Sequence, residues 1–120
     1  MPTIKQIAAV AADLTNFQHQ TNEFAMGLIT SAALANDAYT LDSDVNTIVG
    51  GGVTLPHHPI VPIADPSHQE VMEIQAQVDS MFLNFYHFVF NGLTATTFAA
   101  DINTEATDII GILNPPPVVV

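Results

Sequence analysis

The segment from residue 82 to residue 90 constrains the fold more than any other part of this sequence. It reads Phe-Leu-Asn-Phe-Tyr-His-Phe-Val-Phe and holds five of the nine aromatic residues in the chain. On a helix, its two polar residues, Asn84 and His87, lie three positions apart and share one face. The remaining surface is apolar and wider than the roughly 100° stripe that docks a surface helix on a core. This excess predicts contact with a bundle interior, a second copy of the protein or an apolar ligand.

A regular apolar spacing predicts that this segment is the second half of a long helix rather than a strand. The apolar positions alternate in steps of three and four, which is typical of a helix. Asp65 followed by Pro66 predicts the start, because an acidic N-cap then precedes a proline at the first helical position. Asn91-Gly92 predicts the end. The apolar positions are Val71, Ile74, Val78, Met81, Phe85 and Phe88.

Three further helices are predicted from the same kind of spacing. The first begins at a capping box formed by Thr3 and Gln6, and the fourth begins near Thr94. The predicted ends of the first, second and fourth helices are Met26-Gly27, Gly50-Gly51-Gly52 and Asn114-Pro115. Predicted core positions are Ile7, Val10, Leu14, Phe17, Thr21 and Phe24 in the first helix, Leu34, Ala38, Leu41, Val45 and Ile48 in the second, and Ala99, Ile102, Ala106, Ile109 and Leu113 in the fourth.

Together these segments predict an all-α fold, an antiparallel four-helix bundle. A long Gly/Pro-rich loop from Gly50 to Ala64 joins the second and third helices, and its prolines exclude a helix there. Its apolar residues predict that it packs over the bundle, as long loops that serve in binding do. We expect residues 1–114 to form a single domain, followed by a Pro/Val tail at 115–120 whose valines either fold back on the chain or contact a partner.

The acidic composition excludes several classes of partner. One lysine stands against twelve carboxylates, giving a formal charge of −11. Such a surface repels nucleic acid and anionic lipid headgroups, because binding either requires basic residues. No apolar run approaches the roughly 18 residues of a membrane span, and the amino terminus lacks the pattern of a signal peptide. The low charged fraction, 11%, favours an extracellular or cell-wall location and leaves a cytoplasmic one open.

No motif in the sequence predicts catalysis. A Gly-x-Ser-x-Gly elbow is absent, so we expect that the protein is not an enzyme and needs no cofactor. His57, His58 and His68 could meet near the start of the third helix, and imidazoles are ligands for zinc or copper. No two of them lie four residues apart on a helix, so we favour loop histidines that form hydrogen bonds over a metal site. A metal-dependent or enzymatic role through these histidines stays open as a third hypothesis.

A weak calcium-like pattern lies in the second helix. Asp42, Asp44 and Asn46 imitate the start of a calcium-binding loop, but Thr47 replaces the glycine of the turn and Val53 replaces the bidentate acid. We interpret these residues as a solvated helix face.

The candidate binding residues lie beside the core positions of the third helix. Phe82, Tyr86 and Phe90 are four residues apart and form a second apolar stripe. Four helices alone cover such a stripe poorly, which predicts a pocket or an oligomer face. The predicted ligand-binding residues are Phe82, Tyr86, Phe90, Met81, Phe85 and Tyr39, with His57 and His58 in the loop that covers them.

The sequence also resembles a known family in its pattern of residues. The succession comprises Ala12-Asp13-Leu14, Asn22 to Leu28, Ala32-Ala33-Leu34, Leu41 and Val45, then Asp65-Pro66-Ser67, Val71, Ile74, Val78 and a Thr-rich last helix. It resembles the fungal hydrophobic surface-binding protein A and cell-wall mannoprotein family. The resemblance implies a small secreted helical bundle, in some members of which fatty acids are enclosed between the helices. The Gly50–Ala64 loop and the near absence of lysine depart from the family.

Two hypotheses of function follow from the aromatic helix. We favour non-enzymatic binding of an apolar small molecule or lipid, such as a neutral lipid, fatty acid or pigment, within the bundle. Since Lys5 is the only basic anchor besides histidines and helix N-termini, neutral or protonated ligands should bind best. The alternative is a structural, self-assembling protein that uses the aromatic helix face and the tail as contacts in a homodimer or larger oligomer.

Overall fold

The computed structural model describes residues 2–52 and 67–114, and within these ranges every regular element is an α-helix. The four helices are α1 (Ile4–Ala25), α2 (Ser31–Val49), α3 (His68–Phe90) and α4 (Ala95–Leu113). The all-α prediction is confirmed. The loop predicted to cover the bundle and the tail at 115–120 lie outside the described residues, apart from Gly50–Gly52 at the start of the loop.

Capping boxes fix the starts of α1 and α3. The Thr3 hydroxyl accepts a hydrogen bond from the Gln6 N–H at 3.1 Å, and the Gln6 side chain accepts one from the Thr3 N–H at 2.9 Å. Ser67 and Glu70 repeat this arrangement at the start of α3. The predicted Asp65 cap is therefore wrong: Ser67 is the N-cap, because Glu70 can return the bond that completes the box.

Threonines and glycines account for most of the other helix ends. Thr30 and Thr94 cap α2 and α4 by accepting bonds from the N–H groups three residues on. Gly50 ends α2 in the left-handed conformation, with φ of 69°, which costs glycine no side-chain clash. Asn91 and Asn114 are the C-caps of α3 and α4, as the sequence predicts.

The core follows the predicted spacing closely and adds residues beside it. Every predicted core position of α4 is buried, whereas Ile7, Ile48, Val71 and Phe85 are only half-buried. The largest fully buried side chains are Phe17, Phe98, Leu14, Leu34, Ile74, Met81, Ile102, Ile109 and Leu113. Buried apolar residues that the sequence analysis did not single out for the core include Ala35, Val49, Phe98 and Ile110.

Four helix–helix interfaces hold the bundle together. α2 packs against α1 and α4, and α3 packs against α4 and α1. The Gln6 side chain donates to the carbonyl of Ile48 at 3.1 Å, which joins the start of α1 to the end of α2. Gly51, just after α2, lies so close to Ala99 in the first turns of α4 that a Cβ at position 51 would clash with it.

Many hydroxyl side chains on the helices bond to their own backbone. The hydroxyls of Thr40, Thr47, Thr104 and Thr107 donate to the carbonyl four residues earlier, at 2.7 to 3.1 Å, and all four are exposed. Buried Thr21 makes the same bond at 3.0 Å, which explains how a polar residue occupies a core position.

None of the described helices combines the length and the apolar character needed to cross a lipid bilayer.

Candidate apolar-binding surface

The predicted binding residues within the described ranges differ in their degree of burial: two are buried, two are half-buried and two are exposed. Met81 and Tyr39 are buried in the core, at 0% and 6% exposure. Phe82 and Phe85 are half-buried and pack against that core. Tyr86 and Phe90 are exposed, at 52% and 69%. His57 and His58 lie outside the described residues, so their predicted role as a cover stays a prediction.

The four half-buried and exposed aromatic residues form a continuous path around α3. At 3.6 residues per turn, Phe85, Phe82, Tyr86 and Phe90 follow one another around the helix axis in steps of about 40 to 60°. Phe85 and Phe82 are half-buried, whereas Tyr86 and Phe90 are exposed, so the path runs from the core side of the helix to its solvent side. One helix therefore carries apolar surface from the interior of the bundle to its exterior.

The exterior end of this path is an apolar patch formed by Leu83, Tyr86 and Phe90, which we call the outer α3 face. Leu83 is 58% exposed. The rings of Tyr86 and Phe90 lie 4.9 Å apart between centroids with an interplanar angle of 48°, so the two side chains support each other. Patches of this kind on a protein surface are often binding sites.

The interior end of the path is anchored by an aromatic stack between α3 and α4. Phe88 and Phe98 lie 4.6 Å apart between ring centroids and are nearly parallel, at 8°. Phe85 contacts the same Phe98 ring, with centroids 6.2 Å apart. Both members of the stack are buried. The stack holds the second half of α3 firmly on α4 and thereby fixes the direction of the exposed rings.

Beside the aromatic path, His87 and Asn91 are paired through their side chains. The Asn91 Nδ2 and the His87 Nδ1 are 2.7 Å apart. The His87 ring also meets Tyr86 edge to face, with centroids 5.9 Å apart. Among the described residues no three histidine, aspartate or glutamate side chains are grouped so that they could hold a metal ion.

A buried carboxyl group lies between α3 and α4, and the sequence analysis missed it. Glu105 is 6% exposed, and its Oε1 accepts a hydrogen bond from the Asn84 amide. Its Oε2 has no hydrogen-bond partner in the described part of the chain. Burial raises the pKa of Glu105 to about 7, and the nearby charges of Asp101 and Asp108 raise it further. The hydrogen bond from Asn84 acts in the opposite direction and lowers this pKa. No sequence signal marks this residue, since carboxylates three or four residues apart normally share a solvated face.

The residues of the calcium-like pattern lie on α2 rather than in a loop. Asp42 and Asn46 are buried, and the Asn46 amide donates to the Asp42 carbonyl at 2.9 Å. Asp44 is exposed. The interpretation of these residues as a helix face holds, but only part of that face is solvated.

Two surface clefts between helices are polar rather than apolar. One, of about 50 Å³, lies between α1 and α2 and includes Asp13, Asp37 and Asp44. Burial raises the pKa of Asp13 and of Asp37, with a smaller contribution from Asp44 and from Glu23 respectively. The other, of about 240 Å³, lies between α1 and α3 and is lined by Gln18, Thr21, Asn22, Gln75, Val78 and Asp79. Neither contains a predicted ligand-binding residue.

Comparison with known proteins adds no relative: no family model matches the sequence, and no curated protein or solved structure matches it significantly. The resemblance to hydrophobic surface-binding proteins therefore stays a prediction.

Proposed function

We propose that this protein binds an apolar small molecule or lipid without catalysing a reaction. The observation that supports this most is the aromatic path of Phe85, Phe82, Tyr86 and Phe90, which leads from the core to solvent on one helix. Aromatic side chains supply large apolar contact area, about 150 to 250 Å² each. Binding sites for apolar ligands are lined in this way, with few polar groups.

The charge distribution supports a neutral ligand. From Ser80 to Ala100 the chain contains no aspartate, glutamate, lysine or arginine, so the segment that carries the aromatic path has no carboxylate of its own, and the Glu105 carboxyl that contacts Asn84 is buried. An ionised fatty acid would meet repulsion from the net charge of −11, and the segment that carries the path contains no lysine or arginine to pair with its carboxylate. We therefore expect neutral lipids, pigments and protonated fatty acids to bind better than carboxylates.

Only some of the predicted binding residues are accessible to a ligand without a change in structure. Phe82, Phe85, Tyr86 and Phe90 are accessible in whole or in part. Met81 and Tyr39 are packed within the core, so a ligand would contact them only if α3 separated from its neighbours. Contact with these two residues thus requires helix opening, whereas binding at the aromatic path does not.

The bundle topology forms part of the proposal. We infer that helices in contact run antiparallel: the Gln6 bond to Ile48 supports this for α1 and α2, and the approach of Gly51 to Ala99 supports it for α2 and α4. The short turn from Asn91 to Thr94 supports it for α3 and α4. With the resemblance described above, we propose a secreted or cell-wall protein.

Titration with a neutral fluorescent dye, such as Nile red, and with a fluorescent fatty acid tests the proposed function. We expect dye binding to weaken about tenfold or more in Phe82→Gln, because half-buried ring area is replaced by an amide that must be desolvated. Leu28→Gln is the matched control, since Leu28 is 68% exposed in the turn between α1 and α2. Fatty-acid binding should strengthen as the pH falls and the ligand is protonated.

A protein that neither binds the probes nor carries a lipid or pigment would refute the proposed function. If neither probe binds the wild-type protein, and mass spectrometry of the natively purified protein finds no lipid or pigment, binding of an apolar ligand is excluded.

A further inference from the structure

We propose that a second copy of this chain docks on the outer α3 face, so that Leu83, Tyr86 and Phe90 of one copy pack against the same residues of the other. This inference goes beyond the proposed function, because docking requires no ligand. The contact would be isologous, with a two-fold axis passing through the second half of α3.

The outer α3 face supplies part of the apolar area that an ordinary dimer buries. With the exposures of Leu83, Tyr86 and Phe90, at 58%, 52% and 69%, the three side chains present roughly 350 Å² of mostly apolar surface, taking about 150 to 250 Å² for a full aromatic side chain. A standard interface buries about 800 Å² per partner, of which about 65% is apolar in homodimers. Half-buried Phe82 and Val89 lie next to the patch and extend it toward this value.

The charge pattern favours another copy as the partner over a basic protein. Two chains of charge −11 repel each other wherever carboxylates face one another. The uncharged stretch from Ser80 to Ala100 is therefore a region where copies can meet without that cost. Exposed Asp79 lies one turn before Leu83 and marks the edge of this region. A basic partner would instead be attracted to the acidic surfaces elsewhere.

A second copy would also complete the proposed binding site. Ligand pockets bury about 70 to 90% of a small ligand's surface, and the convex side of a single helix leaves one side of the ligand in water. With the two outer α3 faces in contact, the second copy would border the half-buried part of the path at Phe82 and provide part of the opposite wall there. The role of the second copy as a wall of the ligand site rests on the proposed function. The docking of the two copies does not rest on it.

Sedimentation equilibrium of the intact chain, from 1 to 200 µM, tests the docking. We expect the wild-type mass to rise toward twice 12.8 kDa. In Leu83→Glu, two like charges would face each other across the axis, so the association should weaken about a hundredfold. Glutamate is a good helix former, and circular dichroism will establish that the variant is folded. Leu28→Glu is the matched control, with the same change at an exposed leucine outside α3, and it should associate like the wild type.

The possible results separate docking from ligand binding. A wild-type protein that is monomeric at 200 µM overturns the inference, and so does a Leu83→Glu variant that associates as strongly as the wild type. If the wild type is monomeric at 200 µM and still takes up Nile red, the inference fails while the proposed function stands. If the wild type dimerises through Leu83 without taking up any probe, the docking is supported and the proposed function fails.

Discussion

Replacing Glu105 by glutamine should make the bundle more stable at pH 8 and should reduce the pH dependence of its stability between pH 4.5 and 8. The carboxyl group is buried between α3 and α4, and the Asn84 amide is its only hydrogen-bond donor among the described residues. Glutamine keeps the shape of the side chain and an oxygen that can accept the Asn84 bond, but it cannot ionise.

The size of the effect follows from the pKa of Glu105. Burial raises this pKa from its ordinary 4.5 to about 7, and a tenfold change in an acid dissociation constant corresponds to about 1.36 kcal/mol. A carboxyl with a raised pKa favours folding only while it is protonated, so its contribution is complete below pH 4.5 and is lost as the pH rises through 7. The wild type should therefore lose about 3 kcal/mol over this range. The variant should exceed it by about 2 to 3 kcal/mol at pH 8, or roughly 10 °C in Tm, and by little at pH 4.5.

Urea denaturation at closely spaced pH values from 4.5 to 8 measures this prediction. Glu73→Gln is the control, since Glu73 is exposed and its replacement changes the net charge equally without relieving a buried charge. The difference between the two variants isolates the effect of burial from the general repulsion of an acidic chain. If Glu105→Gln and Glu73→Gln show parallel curves of stability against pH, Glu105 does not ionise within the interface and the reasoning is wrong.

Two further predictions concern packing between helices. Phe98→Ala should lower the free energy of unfolding by about 3 to 5 kcal/mol, because it removes a fully buried ring and the stack on Phe88; a loss below 1 kcal/mol in urea denaturation would show that the stack is not formed. Gly51→Ala should destabilise by about 1 to 3 kcal/mol, because the new Cβ clashes with Ala99. In Gly51→Ala/Ala99→Gly the clash is relieved, so the double variant should be less destabilised than the sum of the two single changes, and strict additivity would contradict the close approach.

The helices and most of the core were predictable because all four helical segments show the same spacing of apolar residues. Steps of three and four between apolar residues place Ile74, Val78 and Met81 on one face, and the structure buries all three. The start of α3 also has a signal in the sequence, Ser67 followed three residues later by Glu70, and this capping box competes with the nearby Asp65-Pro66 pair. Capping rules compete at neighbouring positions, and only the bonds formed decide between them.

The burial of Phe98, of Glu105 and of the aromatic path depends on how the helices face one another. The spacing of apolar residues within one helix does not predict this arrangement. Phe98 lies beside the predicted core position Ala99, and it is buried because α3 presents Phe88 to it. Glu105 belongs to the flank of α4 that the same contact covers. The aromatic path was predicted as a stripe on α3, but its graded burial follows from the position of α1 and α4 around that helix.

The threonine hydroxyls that bond to their own helices have a consequence for how the molecule meets water. With the O–H of Thr40, Thr47, Thr104 and Thr107 directed at the backbone, a methyl group of each side chain is left to point outward. At these four positions, α2 and α4 present a methyl group to solvent where the composition alone suggests a hydroxyl donor. Dispersal of the protein in water then depends on its carboxylates, and this protection disappears as the pH approaches 4.2.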